Sequence, residues 1–453
     1  MLPNTIRQLA HKFEFGIPVQ AFRSTEDYVQ SLMLQRSTIT LQAFLNSAPK
    51  YTYNSSLPDG KNKIIARAQS LKHLSEQWLA SSIKGQNHFH EHLVFFWHNL
   101  FGVKLYNPLF MAQHIDLIRS SCFGNYRDML IQMTQDAAML RFLNLQLSTP
   151  QQPNENYARE LLELYSLGVG GYSEKEIKII AAILTGYRSD EDGRPYRIKR
   201  FVNQEEYSLF GKTGIKNLDG VIDAILSQPQ CAYFITERFC TFFLKTNLSQ
   251  EQLQEIAQPF YKSNYQLSVL YSKSIEFWLE KIEVQQQTLY SSPIQFLAKT
   301  MTLFPAHNIR QGSLSQAQRI LGQELLFPPS VAGWPIHMEW FDASSFMRRI
   351  DFLEAVQSGK WQVGGQNEEE EIDNELPSFS SLNSEILFND GYGHSIRNWN
   401  SDAISDLQWW IEVCFPNDTE RTSALARKYT KITEDNYSRF VKDLLLLPEF
   451  HTR

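Results

Sequence analysis

Asn87-His-Phe-His-Glu-His-Leu-Val-Phe-Phe-Trp-His-Asn-Leu-Phe101 places four of the chain's eleven histidines close together. Helical spacing puts His88, Glu91, Phe95 and His98 on one stripe, because residues three and four apart share a face. His92 follows His88 by one turn. His98 stands among Phe95, Phe96, Trp97 and Phe101. An imidazole in so apolar a setting needs a partner, since an unpaired buried polar group costs about 1–3 kcal/mol. The stretch therefore reads as polar groups enclosed in a largely apolar helical protein.

The same periodicity extends outward. Ile64, Ile65, Ala68, Leu71, Leu74, Trp78, Leu79 and Ile83 form an apolar helical stripe. Ser24 with Asp27 reads as a cap, and Ser173 with Glu176 as a capping box. Asn154 opens a helix through Tyr157, Leu161 and Leu164 that Gly168 closes. Further helices are expected at 108–121, 217–228, 230–244, 250–262, 291–303, 343–357, 401–414 and 433–446. The segment 188–213 reads as a hairpin turning at Asp192-Gly193, with alternation through Tyr196, Ile198 and Arg200. The fold class is thus mainly α: a multi-helix body at 1–360 with a small β-hairpin insertion and a helical C-terminal tail at 382–453. Between them, 361–381 carries Glu368-Glu-Glu-Glu371 and reads as an acidic mobile linker.

Composition limits the function classes. Hydrophobic residues are 43% of 453, so a large core is available. The net charge of −6 argues against a general nucleic-acid binder. No run has the length of a membrane span. Residues 1–16 contain Arg7, His11, Lys12 and Glu14 without a long apolar core, so the chain reads as soluble and cytoplasmic. Cys122, Cys231, Cys240 and Cys414 are scattered. They read as small buried hydrophobes rather than a disulfide framework.

Four constellations carry the candidate chemistry. In the first, Asn154, Asn156, Arg159, Glu160 and Glu163 lie on the helix 154–168. Glu160 and Glu163, one turn apart, converge with His98 as acid–base groups or as ligands of a divalent metal. The competing reading is a salt-bridged solvated face beside a satisfied core histidine. In the second, His88 and His92 share an ion such as zinc, with His90 and Glu91 beside them; otherwise they mark an exposed helix start. In the third, Arg188, Arg194, Arg197, Lys199, Arg200 and Lys212 grip an anionic substrate, or simply form a charged hairpin. In the fourth, Trp334 of Pro328-Pro-Ser-Val-Ala-Gly-Trp-Pro335 lines a pocket or plugs the loop onto the body. H-E-x-x-H is absent because Val94 occupies the second His position, and Phe210-Gly-Lys-Thr-Gly214 lacks P-loop spacing.

Several of these segments together resemble a large bacterial family catalogued as domain of unknown function eighteen-hundred. They are Phe95-Phe-Trp-His-Asn-Leu-Phe101, Pro153-Asn-Glu-Asn-Tyr-Ala-Arg-Glu-Leu-Leu-Glu-Leu-Tyr-Ser-Leu-Gly168, Leu184-Thr-Gly-Tyr187, Phe210-Gly-Lys-Thr-Gly214 and Phe327-Pro-Pro-Ser-Val-Ala-Gly-Trp-Pro335. The terminal Leu447-Pro-Glu-Phe450 also fits. The resemblance implies a mainly helical fold, and members often look exported. It also implies a partner similar to sulfatases and alkaline phosphatases. The chain departs from the pattern before Phe210, where Asn203-Gln-Glu-Glu-Tyr-Ser-Leu209 replaces a usual His-Asp pair. Two functions follow as expectations. One is an enzyme, hydrolase or oxidoreductase, with a buried His/Glu site acting on a polar or anionic substrate. The other is a non-catalytic helical partner or scaffold.

Overall fold

The computed structural model describes residues 4–15, 22–50, 55, 58–244, 247–281, 284, 289–304, 306–310, 312–340, 342–357, 360–363, 384–388, 428, 443 and 447–452. Residues 364–381 of the expected acidic linker, most of the tail, the helices at 401–414 and 433–446 and Cys414 lie outside these residues. The linker's expected first residues, 361–363, belong instead to a strand with Trp361 buried, and 384–388 of the tail is also a strand. Among the described residues the chain is mainly helical, with small sheets. The helices are α1 (Asn4–Phe13), α2 (Thr25–Leu34), α3 (Leu41–Leu45), α4 (Asp59–Lys84), α5 (His88–Leu100), α6 (Pro108–Ser121), α7 (Tyr126–Gln135), α8 (Ala137–Phe142), α9 (Glu155–Glu163), α10 (Glu174–Ile183), α11 (Leu218–Leu226), α12 (Pro229–Phe243), α13 (Gln250–Lys262), α14 (Leu267–Glu280), α15 (Pro293–Leu303), α16 (Ser313–Ile320) and α17 (Ala343–Gln357).

Helix ends follow local chemistry. The Ser24 hydroxyl accepts the Asp27 N–H at 3.1 Å, and Ser173 with Glu176 closes a capping box. Asn154 accepts the Asn156 N–H at 2.9 Å, and Gly168 ends that turn at φ +77°. Asn107, followed by Pro108, caps α6.

The centre of the molecule is α5. Every one of its residues is buried, so it is hydrophobic or internally bonded all round. It packs with α1, α4 and α6. On α12, Phe239, Phe242 and Phe243 surround Phe96, with ring centroids 5.3–5.9 Å apart. Burial of Phe89, Leu93, Phe96, Trp97 and Leu100 stabilises the fold by about 1.5–3 kcal/mol for each side chain. This corrects the reading of 87–92 as an exposed helix start. The flanking α1, α4 and α6 enclose the first turn as well as the rest.

The insertion holds two hairpins rather than one. β1 (Tyr187–Ser189) pairs antiparallel with β2 (Pro195–Arg197) across the Asp192-Gly193 turn. The expected alternation stops at Arg197, because Lys199–Phe201 turn into a 3-10 segment. β3 (Tyr207–Leu209) then pairs with β4 (Lys212–Ile215). Phe210 and Gly211, both at positive φ, make the mirror-image two-residue turn that suits strand twist. A third sheet has the order β5-β7-β6, with β5 (Ala306–Ile309) and β6 (Lys360–Val363) both antiparallel to β7 (Ser384–Phe388). No helix among the described residues is long and apolar enough to cross a membrane.

Candidate functional site

Glu91 is the hub of α5. Its carboxylate accepts Arg119 Nε at 2.8 Å and Nη2 at 3.1 Å, Trp78 Nε1 at 2.7 Å and the Ser82 hydroxyl at 3.3 Å. Burial pushes its pKa up, but the Arg119 charge and these donors outweigh burial and hold it below the usual carboxylate range. Arg119 continues to Asp116 at 2.9 Å, and Asp116 accepts the Leu41 N–H at 2.7 Å. One carboxylate thus joins α4, α5 and α6, and its arginine extends the network to α3.

The neighbouring histidines are bonded inward too. His90 Nδ1 accepts the Ser37 N–H at 2.6 Å, and its Nε2 faces the Arg119 carbonyl at 2.9 Å. Burial holds its pKa down, and the geometry is that of a neutral ring. His92 Nδ1 faces the Phe13 carbonyl at 3.0 Å, and its Nε2 lies 2.6 Å from the Gln295 amide nitrogen. Gln295 is oriented by its oxygen, which accepts the Ser292 N–H. Both nitrogens of His92, expected to share a metal ion with His88, are thus held in hydrogen bonds. His88 is buried against Phe15 at 5.7 Å, and its Nε2 has no hydrogen-bond partner among the described residues.

The C-terminal end of α5 meets the Pro328–Pro335 loop. Asn99 Oδ1 accepts the Trp334 N–H at 2.6 Å, and the Trp334 ring stands edge-on to His98 at 5.0 Å. His98 Nε2 accepts the Leu326 N–H at 3.3 Å, while its Nδ1 has no hydrogen-bond partner among the described residues. Burial, then the nearby His114, holds the His98 pKa well below the usual value. The backbones also touch. A Cβ at Gly333, which sits at φ +83°, would collide with the Asn99 carbonyl and Oδ1. One at Gly102 would lie 2.9 Å from the carbonyl oxygens of Ser330 and Val331. Trp334 is buried as the loop's anchor.

Beside His98, the His114 ring lies at 6.3 Å and holds Asp136 Oδ2 at 3.0 Å and the Phe101 carbonyl at 3.3 Å. Asp136 also caps α8 through the Met139 N–H at 2.9 Å. The sequence reading passed over this buried His–Asp pair and the Glu91–Arg119 pair. Asp136 directly before an Ala-Ala helix start was the one available signal.

The expected partnership of His98 with α9 does not form. No hydrogen bond or ion pair joins His98 to Glu160 or Glu163 among the described residues. The two segments meet instead at Phe101 and Tyr165, whose rings are 5.1 Å apart. Glu160 and Glu163 are half-exposed on the outer face of α9. Glu163 accepts the Tyr172 hydroxyl at 2.8 Å. Burial, then the Glu163 charge, raises the Glu160 pKa. Arg159 forks onto Glu174 at 2.8 and 3.0 Å. Asn154 is spent on its cap, and Asn156 Nδ2 reaches the Leu143 carbonyl at 3.4 Å.

The basic hairpin is partly structural. Arg197 donates to the Ile183 and Thr185 carbonyls at 2.9 and 2.8 Å, and Lys212 donates to the Asp223 carbonyl at 2.8 Å. Arg200 is exposed over Phe201. Among the described residues, no three His, Cys, Asp or Glu side chains are grouped to hold a metal ion. Cys122, Cys231 and Cys240 are buried, and burial pushes the last two thiols up to about 12.

No curated protein and no solved structure matches the chain. A family model does. The segments that meet around His98 and Asn99 both lie within a match running from residue 8 to residue 452, and the chain belongs to the family described as protein of unknown function (DUF1800).

Proposed function

We propose that the chain is a non-catalytic helical partner of another protein, and that the polar residues of α5 serve its architecture. The observation that carries this is the inward bonding of Glu91, His90, His92 and Asn99. These four side chains tie α5 to α1, α4, α6, α15 and the Pro328–Pro335 loop. Buried polar networks of this kind specify one packing arrangement. The partner implied by the family resemblance is a protein similar to sulfatases and alkaline phosphatases. Co-expression with the sulfatase-like protein of the same genome, followed by light scattering of the purified species, tests this. A stable complex unaffected by Glu160→Gln is expected. No complex would overturn the reading.

A second reading rests on Glu160 and Glu163. Burial and the Glu163 charge raise the pKa of Glu160, which suits it to hold a proton as a general acid beside the carboxylate that accepts Tyr172. It would serve an enzyme acting on a polar or anionic substrate at the surface of α9. Loss of an activity on Glu160→Gln, with the fold intact, would establish it.

A further inference from the structure

We infer that the cleft between α4 and β5 takes an extended, acidic peptide of a partner protein as an added strand. This rests on the partner reading and names the surface that would serve it. In the three-stranded sheet, β5 pairs with β7 alone among the described residues, which leaves it at the edge. An edge strand offers unpaired main-chain donors and acceptors to any extended segment laid beside it.

A cleft of about 360 Å³ lies along this strand. Ala306, Ile309 and Arg310 line one wall, and the α4 residues His73, Glu76, Ala80 and Lys84 line the other. The α4 residues are spaced three and four apart, so the helix presents one continuous stripe. The volume falls within the range of about 300–1,000 Å³ typical of ligand sites.

The charge of the cleft selects the peptide. Glu76 is sunk in the wall, and its oxygens accept the N–H groups of Gly312, Leu314 and Ser315 at 3.0, 2.9 and 3.1 Å. Its charge is thereby committed to the start of α16. Lys84 and Arg310 are exposed, and neither has an ion-pair partner among the described residues. His73 is buried in the wall, and its Nε2 lies 3.1 Å from the Ser47 hydroxyl. The cleft therefore offers two cations with no ion-pair partner among the described residues beside the small apolar surfaces of Ala80 and Ile309. An acidic side chain on every second residue would meet the cations, because alternate residues of a strand point to one side.

The test uses the full chain on a positional-scanning array of immobilised hexapeptides. Enrichment of Asp and Glu is expected at positions two apart. The selected peptide should bind at least tenfold more weakly to the Lys84→Glu, Arg310→Glu double variant, whose thermal midpoint should match the wild type. The same peptide N-methylated at alternate residues should also bind at least tenfold more weakly, since strand addition needs its N–H groups. Equal binding of the N-methylated peptide would overturn the inference. So would selection without acidic enrichment, or displacement of the peptide by inorganic phosphate, which would mark a small-anion site. A partner complex that forms equally well with the double variant would overturn this inference alone and leave the partner reading standing.

Discussion

Asn99 and Trp334, 235 residues apart, are joined by a 2.6 Å hydrogen bond from the Trp334 backbone to the Asn99 side chain. The bond fixes a proline-bounded loop against the end of the most buried helix. Around it, Gly102 and Gly333 allow main chain to pack on main chain, and Trp334 covers the ring of His98. Two stretches that look chemical in the sequence are thus two halves of one packing joint.

That joint makes Gly333 intolerant of any side chain. Gly333→Ala must bear a left-handed φ of +83° and a collision with Asn99 backbone, so it should destabilise the protein by well over 2 kcal/mol. Gly170→Ala is the control. Its φ is +86° with open space around it, and it should lose only about 1–2 kcal/mol. Urea unfolding of the two variants checks the difference.

Asp136 serves two partners, the His114 ring and the start of α8. Asp136→Asn retains a good cap, whereas Asp136→Ala loses the cap and the carboxylate. The alanine variant should be the less stable by about 1 kcal/mol, read as a lower urea midpoint at unchanged slope.

The His98 ring is held neutral by burial, with its pKa far below the ordinary value of 6.5. The unfolded chain therefore binds the extra proton. The stability contributed by the neutral ring is complete above about pH 6.5 and is lost as the pH falls below it, by up to about 1.4 kcal/mol per pH unit for one proton. The thermal midpoint should drop between pH 7 and pH 5, and His98→Phe should make that drop shallower. An unchanged slope in the variant would count against a neutral, buried ring.

Glu160 has the opposite sign. Burial and Glu163 raise its folded pKa, so the folded state holds the proton more tightly, and its ionised form weighs against folding above the ordinary carboxyl range. Glu160→Gln should leave stability at pH 7 unchanged or slightly higher. At pH 4, where both states are largely protonated, the difference should vanish. Denaturant titrations at the two pH values measure it.

Much of the fold was legible locally. Caps at Ser24, Asn154 and Ser173 and the apolar stripe of α4 are short-range signals that tertiary packing did not override. The second hairpin was missed because its turn places Phe210, a bulky residue, at positive φ, where sequence rules look for Asn or Asp. The candidate site was less legible. Residues 88–98 were rightly seen as polar groups in an apolar setting, but their partners Arg119, Gln295 and Leu326 lie on segments that carry no local mark of the pairing. Spacing within α9 placed Glu160 and Glu163 together on one face. It contained nothing about which way that face turns, and it turns away from His98.

The most direct test of the claim that α5 serves architecture is the unfolding free energy of Glu91→Gln at pH 7. Removing the carboxylate strips the buried Arg119 of its two charge-assisted bonds to Glu91, leaves Asp116 as its ion-pair partner, and should cost about 1.5–3 kcal/mol. A Glu91→Gln protein as stable as the wild type, or more stable, would contradict the account and return this helix to the list of functional sites.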